Sequence, residues 1–190
     1  MNDSCQTSFM APEEIKEIGF GAVGKNVLIS RKASFYSAES IFIGDNVRID
    51  DFCFLSGNIS IGSHIHIAPY ALLVGQNGIS IHDFSQISSR VSLLSATDDF
   101  SGEYLVGPQV PNEYRKLSGG EIILYKHALI GIGSLIFPGV KLREGTAIGA
   151  MSFVFRSTKE WTVYFGNPAV AIKERSKRMV TLESSFLESL

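Results

Sequence analysis

The sequence predicts an all-β protein, a left-handed parallel β-helix of about six coils that carries a long projecting loop. Two observations predict this fold. A six-residue pattern recurs along the chain, with an aliphatic residue first, often a glycine next, and a small or β-branched residue four places after the first. Three such hexads make a coil of about 18 residues, and solenoids of this kind bury their faces by stacking one coil on the next.

The hexads remain in phase along most of the chain. Their first positions are all apolar, and the positions four places later are never large and charged, as the inside of a narrow triangular prism requires. An amphipathic helix fits less well, because Gly, Asn and Asp fall throughout its supposed interior. The first positions are Val23, Ile29, Phe35, Ile43, Ile49, Leu55, Ile61, Ile67, Leu73, Ile81, Ile87, Leu93, Leu124, Ile130, Ile136, Leu142, Ile148 and Val154.

The remaining elements follow in chain order. Residues 1–20 form an N-terminal cap in which EEIKEIG predicts a short helix, and residues 21–160 form the β-helix. Extra residues cluster after the third hexad of a coil, so one corner of the prism carries them. The largest insertion, residues 95–120, predicts a functional projecting loop, since long irregular loops in compact domains usually have a function. Residues 161–190 close the last coil, and the segment after Pro168 predicts a C-terminal helix that covers its edge.

The composition limits the classes of function. The chain has 17 basic and 19 acidic residues and a formal net charge of −2, which favours neither nucleic acid nor a membrane surface as a partner. No run reaches transmembrane length, and the N-terminus lacks the basic-then-apolar order of a signal peptide. Cys5 and Cys53 form no metal-ligand pattern, which favours two free thiols in a reducing compartment. We therefore expect a cytoplasmic protein without a bound metal.

Three features together resemble a known family. The hexads, the SATDDFSGE loop and the closing GNPAVAIKER resemble the hexapeptide-repeat acetyltransferases, with the sugar and galactoside O-acetyltransferase branch as the nearest subgroup. The resemblance covers about residues 17–175. It implies a homotrimer with acetyl-CoA as acyl donor in the groove between two prisms. It also implies a sugar or nucleotide-sugar acceptor, acylated on a hydroxyl or an amine, and a role in surface polysaccharide biosynthesis.

The chain departs from the family at the expected catalytic base. The family places a histidine after threonine in the projecting loop, and here the matching position in SATDDF is Asp98. An ordinary aspartate is a weak base, although burial or the neighbouring Asp99 could raise its pKa. Both carboxylates could instead only start a turn before Phe-Ser-Gly. The alternative base is His66, placed by alignment at a coil corner where it could meet Asp98 across a subunit boundary, and His127 is a weaker candidate.

The missing histidine also bears on the acceptor, because a neutral amine needs less help from a base than a hydroxyl does. This favours N-acylation. On the acceptor side we predict four residues: Tyr70, Tyr104, Tyr114 and Arg115. For the CoA groove the resemblance implies Ile132, Gly133, Ala150, Phe155, Arg156, Asn167, Pro168 and Lys173.

Several residues near the C-terminus have more than one interpretation. Arg175 and Lys177 could reach the CoA phosphates, but a solvated helix is the stronger interpretation for both. Trp161 could stack on the adenine or close the last coil.

Two other functions remain as alternatives. A γ-class carbonic anhydrase shares the hexads but needs three converging histidines, and no pair of the four histidines has the necessary separation. The other is a catalytically inactive trimeric β-helix that binds a sugar or nucleotide, which the absent histidine would allow.

Overall fold

The computed structural model describes residues 8–189, which contain a left-handed parallel β-helix with three flat faces. Six complete coils are followed by one further strand on the second face. The first face contains β1 (Ala22–Val23), β4 (Ile41–Ile43), the ends of β6 (Phe54–Ile61) and β8 (Leu72–Ile81), β13 (Ile122–Leu124) and β16 (Lys141–Leu142). The second contains β2 (Leu28–Ile29), β5 (Val47–Ile49), β7 (Ile65–Ile67), β9 (Gln86–Ile87), β14 (Leu129–Ile130), β17 (Ala147–Ile148) and β19 (Thr162–Phe165). The third contains β3 (Ser34–Tyr36), the starts of β6 and β8, β10 (Ser92–Leu94), β15 (Leu135–Ile136) and β18 (Phe153–Val154).

The strand register confirms the predicted hexads. Each first position pairs with the corresponding residue of the next coil, so the aliphatic side chains form one column behind each face. Nearly all of them are completely buried, and this continuous apolar interior supplies the main favourable free energy of folding. On the second face the column contains Ile29, Ile49, Ile67, Ile87, Ile130 and Ile148.

Small polar residues share this interior and are fully hydrogen-bonded. The hydroxyl of Ser134 donates to the carbonyl of Gly149 at 2.9 Å, and the hydroxyls of Thr146 and Thr158 lie 2.7 Å apart. Across residues 8–189, no buried side-chain nitrogen or oxygen lacks a partner. The cost of burying these groups is therefore offset by hydrogen bonds.

Most corners of the prism turn through one residue with positive φ. We number the corners by order: the first lies between the first and second faces, the second between the second and third, and the third between the third and first. Asn46, His64 and Phe84 turn the first corner with φ of 56°, 58° and 57°. Because these residues repeat at every coil, their side chains stack, as His64 and Phe84 do with ring centroids 4.6 Å apart.

The projecting loop leaves the fourth coil at the third corner, as the insertion pattern predicts. Its two ends pair as the antiparallel strands β11 (Ala96–Thr97) and β12 (Ser118–Gly119). The buried hydroxyl of Ser95 donates to the carbonyl of Val74 and accepts the amide of Asn77 at 2.8 Å. The loop is thereby tied to the coil that precedes it.

The two ends of the chain agree with the prediction only in part. Helix α1 (Pro12–Ile18) confirms the N-terminal cap. The prediction of a helix directly after Pro168 is wrong for its first residues, since β20 (Val170–Glu174) returns antiparallel to β19. Helix α2 (Arg178–Glu188) follows. Neither helix of the described residues is long and apolar enough to cross a membrane. Cys53 is a buried free thiol, and Cys5 lies outside the described residues.

Candidate functional site

The residues predicted to hold CoA lie mainly along the second corner. Ile132 and Gly133 turn this corner in the fifth coil and Ala150 in the sixth, where the Met151 amide donates to the Ile132 carbonyl at 2.8 Å. The GNPA turn lies one coil further on, with Asn167 and Pro168 joined by a cis peptide bond. One edge of the prism therefore presents these positions in line.

A glycine turns the middle of this edge. Gly133 has φ of 71°, and a Cβ there would meet the Met151 sulfur at 2.5 Å. The amide of Gly133 donates to the carbonyl of Ser89 at 3.0 Å, which joins the edge to the fourth coil. The Met151 side chain therefore occupies the space that a side chain at this position would fill.

Three exposed side chains flank the predicted CoA edge. Phe155 follows β18 and stacks on Phe153 with centroids 5.7 Å apart. The guanidinium of Arg156 lies 5.1 Å from the Phe155 ring, and Lys173 lies on β20 opposite Val163. Arg156 and Lys173 are both exposed, so their charges are available to anionic phosphates.

Arg175 and Trp161 have structural roles at the opposite, first corner. The Arg175 guanidinium donates to the carbonyls of His127 and Gly145 at 2.8 and 3.0 Å, and its desolvation lowers its pKa. The expectation of a solvated Arg175 is therefore wrong. Trp161 is buried beneath Gly145, so it closes the last coil, and Lys177 lies 5.7 Å from its ring.

His66 lies in the middle of β7 and not at a corner, which corrects the prediction from the sequence. Its Nε2 lies 2.6 Å from a carboxylate oxygen of Asp50, and its Nδ1 lies 3.0 Å from the side-chain nitrogen of Gln86. The other oxygen of Asp50 accepts the Nε–H of Arg48 at 2.7 Å. Both imidazole nitrogens are thus engaged on the outer surface of the second face.

Asp50 and Gln86 are two site residues that were not predicted from the sequence. The signal for Gln86 is the coil period, because Arg48, His66 and Gln86 occupy the same outward position in three successive coils. Asp50 follows the end of β5 and is not at that position, so the coil period does not mark it.

The second histidine candidate is buried beneath the C-terminal helix. His127 has 5% of its surface exposed, and its Nε2 lies 2.8 Å from Glu183 of α2. Lys126 pairs with the other oxygen of the same carboxylate. His127 therefore holds α2 on the first corner and does not face an open site.

The two loop carboxylates have different surroundings. Asp98 is partly buried, and one of its oxygens accepts the amide of Gly107 at 3.3 Å. Asp99 accepts the hydroxyl of Ser101 and the amides of Gly102 and Glu103. The Ser101 hydroxyl, with the backbone amides of Ser101, Gly102 and Tyr104, holds the pKa of Asp99 below its ordinary value. Asp99 thus starts the turn before Phe-Ser-Gly, whereas Asp98 keeps one carboxylate oxygen without a hydrogen-bond donor among the described residues.

The residues predicted on the acceptor side also differ in their surroundings: one is hydrogen-bonded within the loop, and the others are exposed. Arg115 is committed inside the loop, donating to the Gly107 carbonyl at 2.9 Å and to Asn112 at 3.1 Å. Tyr104 and Tyr114 are exposed on the loop. Tyr70 is exposed at the second corner of the third coil, the corner that also carries the predicted CoA residues.

Within one chain, the catalytic candidates do not form a single cluster. His66 lies on the second face, and Asp98 lies on the loop at the third corner, so the topology separates them. Across residues 8–189, no group of three or more His, Cys, Asp or Glu side chains could hold a metal ion.

Comparison with known proteins found close relatives, although no family model matches the chain. The dTDP-4-amino-4,6-dideoxy-D-glucose acyltransferase of Escherichia coli is 48% identical over 179 residues, which cover 93% of each chain. AntD, an N-acyltransferase from Bacillus cereus solved with dTDP and 3-hydroxybutyryl-CoA, is 53% identical. The two structures superimpose with a TM-score of 0.93 over 96% of this chain and 97% of AntD.

Further crystal structures of AntD, 52% identical to this chain, add two details. One variant of AntD was solved with dTDP-4-amino-4,6-dideoxyglucose and coenzyme A, covering 98% of that chain and 96% of this one with a TM-score of 0.94. AntD was substituted at one serine and at an aspartate ten positions later. A more distant relative, 26% identical over 155 residues, carries the name of a lipopolysaccharide O-acetyl transferase from Escherichia coli.

Proposed function

This chain belongs to the hexapeptide-repeat β-helix acyltransferases that use acyl-CoA, and we propose that its acceptor is the 4-amino group of dTDP-4-amino-4,6-dideoxyglucose. The observation that carries this proposal is the near full-length similarity to two N-acyltransferases of such sugar nucleotides. The loop agrees with it, because Asp98 replaces the histidine that acylation of a hydroxyl would need.

The reaction joins the amine to the acyl group and releases CoA. The neutral amine attacks the thioester carbonyl, a C–N bond forms, and the C–S bond breaks to give CoA as its thiol. The amine nitrogen gives up one proton as the amide forms, and the departing sulfur takes up one. A basic group near the amine and hydrogen-bond donors at the carbonyl oxygen are therefore the two requirements on the protein.

Asp98 is the proposed proton acceptor. Its Oδ1 is held by the Gly107 amide, which orients the carboxylate and leaves the second oxygen to accept the proton that the substrate amine gives up. The serine and aspartate substituted in AntD, ten positions apart, support this choice. Ser88 with Asp98, and Ser89 with Asp99, have that spacing here. Asp99 is less suited to the role, because its lowered pKa makes it a weaker base.

His66 is the second candidate base. Asp50 orients the imidazole, as a third group commonly orients a catalytic histidine. Against it, both nitrogens are already engaged by Asp50 and Gln86, so His66 would have to release one partner to take a proton. We therefore rank it after Asp98.

The proposed donor is an acyl-CoA with a short acyl chain, with acetyl-CoA and 3-hydroxybutyryl-CoA as the two to compare. Its pantetheine would lie along the second corner at Ile132, Gly133 and Ala150. Arg156 and Lys173 would meet the phosphates, and the GNPA turn at Asn167 and Pro168 would close the end of the groove. The exposure of Ile132, Arg156 and Lys173 supports this arrangement.

The active assembly we propose is a homotrimer working in the cytoplasm, where acyl-CoA and nucleotide sugars are made, for surface polysaccharide biosynthesis. The third face supports self-association, because four of its outward positions are apolar and only half-buried in the single chain, although Ser34 and Ser92 lie in the same column. Light scattering of the purified protein measures this directly, and a monomer would remove the trimer from the proposal. The four apolar outward residues are Phe54, Leu72, Leu135 and Phe153.

Mass spectrometry of the products tests the proposed function. The purified protein is incubated with each acyl-CoA and with dTDP-4-amino-4,6-dideoxyglucose, beside dTDP-glucose as the matched acceptor without an amine. We expect an amide product and release of the CoA thiol only with the amino sugar. Equal turnover of dTDP-glucose would reassign the enzyme to O-acylation.

A further inference from the structure

Strand β20 is the free edge of the sheet on the second face. It pairs antiparallel with β19 on one side, has no neighbour on its other side among the described residues, and exposes all five of its side chains. The register between the two strands also shifts between Val163 and Tyr164. A strand with a single partner and few buried contacts has little local stability of its own. The position of β20 therefore depends on how its two ends are fixed.

The start of β20 is fixed at the second corner, where the GNPA turn precedes it. The amide of Ala169 donates to the carbonyl of Phe153 at 2.8 Å, and the amide of Phe153 donates to the carbonyl of Gly166 at 3.0 Å. The turn is thereby hydrogen-bonded on both of its sides to β18, the neighbouring strand of the third face.

The other end of β20 is fixed at the first corner by Arg175, which directly follows the strand. Its main-chain amide donates to the carbonyl of Trp161 at 2.7 Å, and its guanidinium donates to the carbonyls of His127 and Gly145 at 2.8 and 3.0 Å. These three carbonyls belong to residues with positive φ that turn the first corner in the fifth coil, in the sixth coil and just before β19. Arg175 therefore ties together the coils that carry the predicted CoA residues on the second corner.

Arg175 holds this place as a cation without a carboxylate partner in the part of the chain that the structure describes. It is half-buried, its acceptors are neutral carbonyls, and its desolvation lowers its pKa. The Glu183 carboxylate, which contacts His127, is shared between His127 and Lys126. Partial burial of a charge without an opposite charge costs free energy. In return, the planar guanidinium joins carbonyls of two coils in a fixed direction, which the flexible ammonium of a lysine does less well.

Lys173 is the residue whose position this anchor determines. It lies two residues before Arg175, opposite Val163 of β19, and it is exposed. A lysine binds phosphate as a point charge at the end of a long flexible side chain, and ordering that side chain already weakens binding. If the strand beneath it also had to be ordered, the affinity would fall further. A strand that is fixed at both ends avoids this second cost.

We infer that Arg175 is a positioning residue for the acyl donor: it fixes the end of β20 so that Lys173 can meet the phosphates of CoA. This inference rests on the CoA arrangement in the proposed function and adds a residue that itself does not touch the donor. Its effect should consequently appear in the affinity for CoA, and only while Lys173 is present.

A double-mutant cycle tests this dependence, with CoA binding measured by calorimetry in the absence of any acceptor. We expect Lys173→Gln to weaken CoA about tenfold, Arg175→Gln about fivefold, and the double variant about tenfold, because residues that act through one contact are not additive. The matched control is Arg143→Gln, which removes the same charge from a residue of the sixth coil whose guanidinium lies on the Tyr125 ring, 5.2 Å away. It should bind CoA within about twofold of the wild type.

Kinetics give a second readout that general loosening of the C-terminus would not reproduce. With acetyl-CoA and the amino sugar, Arg175→Gln should raise the KM for acetyl-CoA and leave kcat within about twofold of the wild type. Thermal melting checks that each variant folds. If Arg175→Gln does not melt cooperatively, Arg175→Lys takes its place in the cycle, with about a threefold loss of CoA affinity expected.

Each contrary outcome has its own meaning. A double variant weakened about fiftyfold, the product of the single effects, would mean that Arg175 acts by its own charge, and the positioning role would be wrong. Normal CoA binding by Arg175→Gln beside weakened Lys173→Gln would remove the positioning role and keep the CoA arrangement. Normal binding by Lys173→Gln would remove both. Failure of the amino sugar to react would leave the CoA titrations unchanged, so the acceptor is tested separately.

Discussion

The imidazole of His127 and the carboxylate of Glu183 meet at 2.8 Å, where helix α2 covers the first corner of the β-helix. Both side chains are buried, with 5% and 9% of their surfaces exposed. Removing one partner of a buried pair leaves an uncompensated polar group, which costs about 3 kcal/mol. We expect Glu183→Ala to release α2, and limited proteolysis should then cut the C-terminus faster. Glu188→Ala, on the exposed surface of the same helix, should leave the cleavage rate unchanged.

Asp98→Asn tests the proposed base with little disturbance of the loop. The asparagine amide oxygen can still accept the Gly107 N–H, but it cannot take a proton from the substrate. We expect kcat to fall about a hundredfold, within the range for loss of a general base, with the KM for acyl-CoA nearly unchanged. Asp99→Asn is the neighbouring control. If its kcat falls as far as that of Asp98→Asn, the distinction between the two carboxylates is wrong.

His66→Gln distinguishes the second candidate base from a structural residue. Glutamine can keep contacts to Asp50 and Gln86 but cannot act as a base at neutral pH. If Asp98 takes the proton, kcat should stay within about threefold of the wild type, and its pH profile should keep its shape. A hundredfold loss with a flattened pH profile would instead assign the proton to His66.

Gly133→Ala probes the predicted CoA edge. The added methyl would meet the Met151 sulfur in a left-handed backbone conformation, which costs about 1–2 kcal/mol by itself. We expect the KM for acyl-CoA to rise at least fivefold while the KM for the amino sugar is unaffected. Gly139→Ala is the matched control, since Gly139 has φ of 75° and open space around its Cα. Equal KM values for the two variants would contradict a CoA contact at Gly133.

The Ser101 hydroxyl is the main cause of the lowered pKa of Asp99. A carboxyl whose pKa is lower in the folded state stabilises the loop at neutral pH, and that contribution is lost as acid protonates it below about pH 4. Ser101→Ala should raise the pKa of Asp99 toward its ordinary value, and carbon-13 NMR of the carboxyl should record the change. An unchanged pKa would mean that the backbone amides of Ser101, Gly102 and Tyr104 are sufficient.

The interior of the β-helix could be predicted from the sequence because every hexad requires the same type of residue at the same position. A residue such as Ile87 must be aliphatic whatever its neighbours are, since every coil places that position inside the prism. The C-terminal segment has no such rule. Val170–Glu174 becomes a strand only because β19 offers an edge, and Arg175 is held by carbonyls of distant corners. Pairings of this kind depend on three-dimensional context and leave no periodic signal.

The candidate site, like the fold, could be predicted from the sequence only in part. The alignment on one edge of the residues predicted to hold CoA follows from the coil period, and Ile132, Gly133 and Ala150 lie on that edge. The contacts of His66 with Asp50 and Gln86 were not predicted, because they depend on which outward side chains are neighbours in the folded protein. Asp98 and Asp99 differ because the folded loop brings the Gly107 amide to Asp98 and the Gly102 amide to Asp99. Two adjacent aspartates in a sequence do not reveal this difference.

The paired strands at the base of the projecting loop have an evolutionary consequence. Because β11 and β12 return the chain to the point where it left, the fifth coil resumes in register however the intervening residues are arranged. Natural selection can thus lengthen, shorten or exchange this excursion as a module while the inherited scaffold remains unchanged. Descendants of one ancestor could therefore come to modify different molecules through changes in some two dozen residues of the projecting loop, while every coil is preserved.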